Sequence, residues 1–172
     1  MLWKKKSSQP SDDHESLNFD GRDLEGADLR KRDLRNASFQ NANLVGANFQ
    51  DSILSVVSFV GANLTNADFQ LAMMINTNFQ SAVLDGAKFD ASNLRLANLR
   101  EASLIKARFF HADLTGGSLF KAVLIGANIE YAILKEVDLG FANFTGANTE
   151  GTVWPDFAYF NQTIMRDGKI KR

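Results

Sequence analysis

The chain contains no cysteine, and only two prolines and two histidines occur among its 172 residues. Without cysteine it can form neither disulfide bonds nor zinc–thiolate sites. Its apolar runs are far shorter than the about 18 residues of a membrane-crossing helix, which excludes a transmembrane helix. The basic cluster Lys4–Lys6 is not followed by an apolar segment, so no secretory signal is expected. We therefore expect a cytoplasmic protein that does not associate with membranes.

Large apolar residues recur at every fifth position from Phe19 to Phe144 without a break in register. All 26 of these positions are Phe, Leu, Met or Ile, and two residues before each lies a smaller one, which is Ala in 17 cases. A strand repeats every two residues and a helix turns about 100° per residue, so neither keeps every fifth residue on one side. The pattern predicts a coil that bends after each five-residue unit and points both columns inward.

A second period indicates how many sides the coil has. Between positions 39 and 94 the large column alternates between Phe and Leu or Met, so that like residues recur at every second unit. A four-sided coil, with one unit on each side, would stack like residues, whereas a three-sided coil would mix them. The predicted phenylalanine stacks are Phe19, Phe39, Phe59 and Phe79 on one side and Phe49, Phe69, Phe89 and Phe109 on the opposite side.

The repeat unit resembles the motif of a known family. Residues 42–46, 47–51, 62–66 and 67–71 read ANLVG, ANFQD, ANLTN and ADFQL, which is similar to the A-(D/N)-(L/F)-x-x unit of pentapeptide repeat proteins. The resemblance covers roughly residues 17 to 151 without an insertion, and the C-terminal segment is similar to that of cyanobacterial members. It implies an all-β fold, a right-handed quadrilateral β-helix with four repeat units in each coil.

The repeat divides the chain into three parts. We predict a mobile N-terminal tail at 1–16, the β-helix at 17–151, and a C-terminal cap and tail at 152–172. Arg22 and Arg32 take positions in the small column of the first coil, which predicts an N-terminal cap whose acidic partners would be Asp23, Asp28 and Asp33.

The C-terminal segment predicts a lid over the last coil. Trp154, Tyr159 and Ile164 continue the five-residue frame, while Phe157 and Gln162 are too large for the small column. Trp154, Phe157, Phe160 and Ile164 have helix-like spacing, and Pro155 suits a first helical turn, so we expect a short helix. Asp167-Gly168 between apolar residues predicts a turn.

The sequence offers no set of catalytic or ligand-binding residues. Neither a phosphate-binding loop nor a metal motif is present, and His111 is expected to face outward. The recurring Asp and Asn residues before the core positions are too dilute for calcium, which needs six to eight oxygens. They are better explained by hydrogen bonds to nearby main chain. We expect no enzyme, and no catalytic, cofactor or metal site.

Two functions from different classes remain. The family resemblance implies the first, because fluoroquinolone-resistance members mimic duplex DNA and bind DNA gyrase. A rod of about 30 Å would need on the order of 18 negative charges to match the duplex. Residues 19–149 hold 14 acidic and 12 basic residues, a net charge of −2. This favours the second function, a non-catalytic scaffold that binds another protein, and direct nucleic-acid binding is not expected.

Apolar residues at outward positions are the candidate binding surface. Ile53 and Met73 are predicted to stack one coil apart, with Val56, Leu71, Ile75 and Leu96 near them. A second group around His111 comprises Phe110, Phe120, Tyr131 and Phe141. Contiguous exposed apolar residues often mark interfaces, although isolated ones are common and β-branched residues suit strands. The partner would be an unidentified protein, or a second copy of the chain docked through an end or a face.

Overall fold

The chain folds into a right-handed four-sided β-helix with one repeat unit on each side of the coil, as predicted. The structure, a computed structural model, describes residues 17–155 and 160–171. The predicted tail at 1–16, together with Phe157 and Tyr159, lies outside the described residues. Single parallel β-bridges join each side to the same side of the next coil, as in the series Asn43, Asn63, Val83 and Ser103. Two longer strands follow, β1 (Thr163–Ile164) and β2 (Ile170–Lys171).

A tight turn forms each corner and explains the five-residue period. In the first coil the amide of Ala27 donates to the carbonyl of Leu24 at 3.0 Å, which closes a four-residue turn. The third turn residue has a positive φ, between 54° and 72°, at every fifth position from 21 to 151. A positive φ at this place is the requirement of a type II turn. Each unit therefore consists of a short extended segment followed by one turn.

The recurring Asn and Asp residues stabilise these turns. The side-chain oxygens of Asn48 and Asn78 accept hydrogen bonds from the amides two residues later, each at 3.0 Å. The bond satisfies a main-chain donor at the corner, where the chain turns. The prediction that this column serves the backbone is confirmed at these positions.

The two predicted phenylalanine stacks form part of the core, together with the leucine and alanine columns. The Phe59 and Phe79 rings lie 5.0 Å apart and nearly parallel, and the Phe69 and Phe89 rings also lie 5.0 Å apart. The two stacks meet edge to face, with 5.9 Å between the centroids of Phe59 and Phe69. Aromatic pairs favour both geometries. Since the opposite stacks touch, this part of the coil has no room for a ligand channel.

The hydroxyl groups of Ser and Thr side chains in the small column form hydrogen bonds inside the core. Ser52 and Ser92 donate to the carbonyls of Phe49 and Phe89, at 2.5 and 2.7 Å. Thr77 donates to the carbonyl of Leu54 at 2.8 Å. A hydroxyl can therefore replace the Ala methyl group without leaving a buried donor unpaired.

The first coil carries two exposed ion pairs. Asp28 binds the guanidinium of Arg30 at 2.8 Å, and Asp33 binds that of Arg35 at 2.6 Å. Arg22 and Arg32 are both exposed, as expected for arginines at the open end of the coil. The guanidinium carbon of Arg22 lies 6.0 Å from the centroid of the Phe19 ring. Both ion pairs join residues two apart on the same side of the coil.

The Asp28–Arg30 pair should give a measurable pH effect. The hydrogen bond from Arg30 lowers the pKa of Asp28 from its usual 3.8 to about 2. Because the folded-state pKa is the lower one, the stabilisation is complete above pH 3.8 and is lost as the pH falls through about 2. NMR titration of the Asp28 carboxyl carbon should show this lowered midpoint, and Arg30→Gln should raise it. An unshifted midpoint in the unsubstituted protein would contradict the pairing.

The last coil shifts register by one residue, which corrects one prediction. Bridges join equivalent positions of successive coils as far as Ile133 and Val153, but Asn143 pairs with Ile164 rather than with the equivalent residue Thr163. One extra residue therefore lies between 153 and 164. Thr163 takes the buried small position, and its hydroxyl donates to the carbonyl of Leu139 at 2.6 Å. Ile164 thus occupies an outward position, and the prediction that it keeps the core frame is wrong.

The predicted C-terminal helix is also wrong where the structure describes it. Phe160 begins a turn, in which the amide of Thr163 donates to its carbonyl at 2.8 Å, and β1 follows directly. Antiparallel pairing of β1 with β2 completes a hairpin. The turn at Asp167-Gly168 is confirmed, since Gly168 has φ 77° and its amide donates to the carbonyl of Met165 at 2.9 Å.

Candidate protein-interaction face

The four sides of the coil present different outward residues. We number the faces by their first outward residue: face 1 begins at Asn18, face 2 at Asp23, face 3 at Asp28 and face 4 at Asp33. Faces 1 and 3, which cover the phenylalanine stacks, carry only polar residues at these positions. Face 4 instead presents Asp33, Ile53, Met73, Asn93, Asp113, Ile133 and Val153.

The first predicted apolar group is brought together on face 4. Ile53 and Met73 lie in adjacent coils, joined by a β-bridge, and Ile53 is half-buried while Met73 is 46% exposed. Leu71 lies on the corner shared with face 3. The corner shared with face 1 carries Val56, Ile75 and Leu96 on three successive coils. Val56, Leu71 and Leu96 are each more than half exposed.

The second predicted group is divided between opposite corners. Phe110, His111 and Tyr131 share the corner between faces 3 and 4, and the rings of His111 and Tyr131 stack at 5.1 Å. On the corner between faces 1 and 2, the ring centroids of Phe120 and Phe141 lie 5.5 Å apart. The expectation of a single group is wrong, because two repeat units carry the chain half-way around a four-sided coil.

The sequence reasoning missed two residues of face 4. Ile133 and Val153 follow Asp113 along the same series of β-bridges. Their spacing from Ile53 and Met73 is a whole number of coils, and this signal was available in the sequence. The apolar strip of face 4 and its corners therefore comprises Ile53, Val56, Leu71, Met73, Ile75, Leu96, Phe110, Tyr131, Ile133 and Val153, together with His111, which stacks on Tyr131. The polar residues Asn93 and Asp113 lie between Met73 and Ile133 on face 4.

Several residues of the apolar strip hold an unfavourable backbone conformation. Val56, Leu71 and Tyr131 have φ of 63°, 60° and 55°. The left-handed region costs most L-residues about 1–2 kcal/mol, and a β-branched residue such as valine is an outlier there. The large hydrophobic residues at this turn position from 21 to 151 are Val56, Leu71, Leu96, Tyr131 and Phe141. All but Phe141 border face 4, so the costly residues are concentrated along one surface.

The conformation of Val56 leads to a stability prediction. Val56→Asn should raise the free energy of unfolding by about 1 kcal/mol, because asparagine tolerates the left-handed region. Asn76 already occupies the equivalent corner of the next coil, at φ 58°. The reverse substitution Asn76→Val should lose a similar amount, and urea denaturation would measure both. A destabilised Val56→Asn protein would show that the Val56 side chain contributes to folding.

The described residues contain no other arrangement with obvious chemistry. Within 17–155 and 160–171, no three His, Asp or Glu side chains lie close enough to hold a metal ion. No helix in these ranges is long and apolar enough to cross a membrane. A surface depression of about 310 Å³ in the first coil is lined by Asp28, Arg30, Lys31 and Arg32. Arg30 there is already bound to Asp28.

Comparison with known proteins places the repeat in a family. The family model described as pentapeptide repeats matches eight copies, at residues 18–51, 42–80, 52–90, 77–116 and 118–152. None of the curated proteins matches the chain.

Solved structures of similar proteins share low sequence identity with the chain. HetL, a pentapeptide repeat protein involved in heterocyst differentiation regulation in the cyanobacterium Nostoc sp. strain PCC 7120, is 22% identical. The alignment covers 91% of this chain and 94% of HetL, with a TM-score of 0.35. QnrB1, a plasmid-mediated fluoroquinolone resistance protein, is 19% identical over 83% of this chain and 85% of its own, with a TM-score of 0.45. A pentapeptide repeat protein from the Arabidopsis thaliana thylakoid lumen is 26% identical over 74% of this chain and 68% of its own, with a TM-score of 0.34. Because the matched repeats extend over most of residues 18–152, the chain belongs to the pentapeptide repeat family.

Proposed function

We propose that this protein is a non-catalytic scaffold that binds another protein through the apolar strip of face 4. The observation that carries the proposal is the concentration of exposed large apolar residues on this one face, several of them in a backbone conformation that folding disfavours. Contiguous exposed apolar surface is typical of protein interfaces. Strained residues that do not serve the fold often serve a binding site.

The build of the coil supports a binding role rather than catalysis. Pentapeptide repeat proteins are generally non-catalytic structural or interaction proteins. The interior is filled by stacked side chains, so a ligand would have to bind on an outer face or at an end. The outer sides consist of short extended segments joined by tight turns, whereas sites that enclose a small substrate are usually concave pockets.

The apolar residues of the third coil should supply most of the binding energy. Met73 lies between Leu71 on one corner and Ile75 on the other, in the third of seven coils. Central apolar groups that become fully desolvated dominate interface energies, while the polar rim contributes less. Charged residues such as Asp33 and Lys135 would form the rim.

The distribution of charge does not favour DNA mimicry. Face 3 carries Lys88 and Arg108 at outward positions, where a DNA mimic needs negative charge. Arg108 binds Asp90 at 2.7 Å and Lys88 lies 3.8 Å from Asp68, so two of the acidic groups are neutralised. An uninterrupted acidic surface is therefore absent from this face.

A triple substitution tests the proposal. Replacing Ile53, Met73 and Ile75 by serine should leave the coil folded with a modest loss of stability, because Leu54 and Met74 fill the core beside them. The variant should lose the protein that co-purifies with the unsubstituted chain from its native organism, since the central apolar groups are gone.

The matched control changes exposed apolar residues on the other side of the coil. Val83 and Ile125 are both 39% exposed, on face 2 and its corner, and their replacement by serine should leave the partner bound. If the triple variant folds normally and retains the partner, the apolar strip is not the binding surface. If it melts far below the parent, the three side chains belong to the core.

A further inference from the structure

We propose that the occupant of the apolar strip is a second copy of this chain, packed face 4 against face 4 with the two coils antiparallel. The inference rests on the proposed function and specifies its partner. It is carried by the charges at the two ends of face 4 and by the residues that an antiparallel arrangement brings together.

The two ends of face 4 carry opposite charges. The first coil contributes Arg30, Lys31, Arg32 and Arg35 against two acids, Asp33 and the Asp28 that binds Arg30, a net charge of +2. The sixth and seventh coils contribute Glu130, Glu136 and Glu150 against one base, Lys135, a net charge of −2. In an antiparallel pair the first coil of each copy meets the seventh coil of the other, so that Lys31 lies near Glu150. A parallel pair would bring like charges together, which is unfavourable.

An antiparallel pair centred on the fourth coil brings some apolar residues together and sets Met73 opposite Asp113. Its two-fold axis would pass through Asn93, so that the second coil faces the sixth and the third faces the fifth. Ile53 then lies opposite Ile133, and Leu71 lies opposite Phe110. Leu96 and Asn93 would each face their own counterparts, and the two Asn93 amides can both donate and accept hydrogen bonds.

The area of face 4 determines how strong a dimer we expect. Seven coils about 4.8 Å apart give a strip about 30 Å long and about 15 Å wide, which would bury about 900 Å² over both copies. This area is at the low end for specific interfaces. The same register sets Asp51 opposite Glu130, a contact between like charges. We therefore expect a reversible dimer that forms at micromolar or higher concentrations.

The absence of cysteine allows a direct test of the arrangement. Asn93→Cys places a thiol on the two-fold axis, so mild oxidation should link two copies rapidly. Met73→Cys should link slowly, because the third coil faces the fifth. Asn63→Cys, exposed on face 2, is the control for random collisions. Rapid linking of both Asn93→Cys and Met73→Cys would indicate a parallel pair, and linking of Asn93→Cys no faster than the control would overturn the inference.

A charge exchange provides a second test in solution. Lys31 and Glu150 are both exposed, and the antiparallel pair brings each near the other of the second copy. Lys31→Glu or Glu150→Lys alone should raise the dimer dissociation constant about tenfold in sedimentation equilibrium at low salt. The double variant should restore it, because the opposite charges again meet. Failure of the double variant to restore the dimer, or an unsubstituted chain that stays monomeric at all concentrations, would contradict the proposal.

The triple serine variant of Ile53, Met73 and Ile75 separates this inference from the proposed function. If the unsubstituted chain is monomeric but the variant loses a different co-purified protein, the second copy is the wrong partner and the scaffold function stands. If a dimer forms and the variant abolishes it, both are supported. If the variant retains both the dimer and every co-purified protein, both fail.

Discussion

Replacing Phe69 with alanine should lower the free energy of unfolding by about 3–5 kcal/mol. Phe69 has no exposed surface, and its ring stacks on Phe49 at 4.9 Å and on Phe89 at 5.0 Å. It also meets Phe59 and Phe79 edge to face, at 5.9 and 5.7 Å. The substitution would remove the burial and these ring contacts together. Main-chain hydrogen bonds hold the coils at fixed spacing, so the walls cannot close around the cavity.

Urea denaturation followed by circular dichroism would measure the loss for Phe69→Ala. Phe141→Ala is the matched control, because Phe141 lies on a corner and is 45% exposed. It should change stability by less than about 1 kcal/mol. Equal losses for the two variants would mean that the stacked rings contribute little beyond what an exposed phenylalanine contributes.

An aspartate placed at Leu84 should unfold the protein at neutral pH, whereas the same residue at the adjacent Val83 should be tolerated. Leu84 is fully buried, and an uncompensated buried charge costs about 3–5 kcal/mol in addition to the lost apolar contacts. This sum is comparable with the whole stability of a typical domain. Val83 is 39% exposed on face 2, and aspartate already occupies the equivalent outward position at Asp68 and Asp113.

The pH dependence of the Leu84→Asp variant distinguishes charge from lost packing. Burial raises the pKa of a carboxyl group, so acidification should neutralise the introduced side chain and recover part of the stability. Circular dichroism at neutral pH and near pH 4 would show the recovery for Leu84→Asp and little change for Val83→Asp. A folded Leu84→Asp protein at neutral pH would contradict the assignment of this column to the interior.

In this architecture different residues provide the stability of the coil and its outer surface. Inward columns and corner turns satisfy the fold, so the outward residues at the extended positions are free to vary from coil to coil. Faces 1 and 3 are polar, and on face 4 the apolar residues are concentrated with little benefit to the core. A rigid coil of this kind can present a binding surface without a mobile loop, and the cost of ordering that surface is met when the coil folds.

Much of the fold could be predicted from local periodicity. The five-residue spacing of large and small residues predicts the coil, because only a chain that turns after every unit can keep both columns inside. The recurrence of phenylalanine at every second unit predicts the opposite stacks of Phe59 and Phe69. Where an extra residue enters, as between Val153 and Ile164, the same reasoning fails. A slip of one residue exchanges inward and outward positions, and the repeat itself does not show where it occurs.

The sequence by itself determined that Ile53 and Met73 face outward, one coil apart. Only the tertiary structure decided that Phe110 and Tyr131 border the same face while Phe120 and Phe141 lie on the opposite corner. It also revealed that Val56 and Leu71 hold left-handed backbone conformations. Neighbourhood on the surface depends on the position of each residue within a closed four-sided coil, where residues one full coil apart touch and residues half a coil apart lie across the core. Spacing along the chain therefore identifies the inward residues, whereas the closed coil determines which outward residues form one surface.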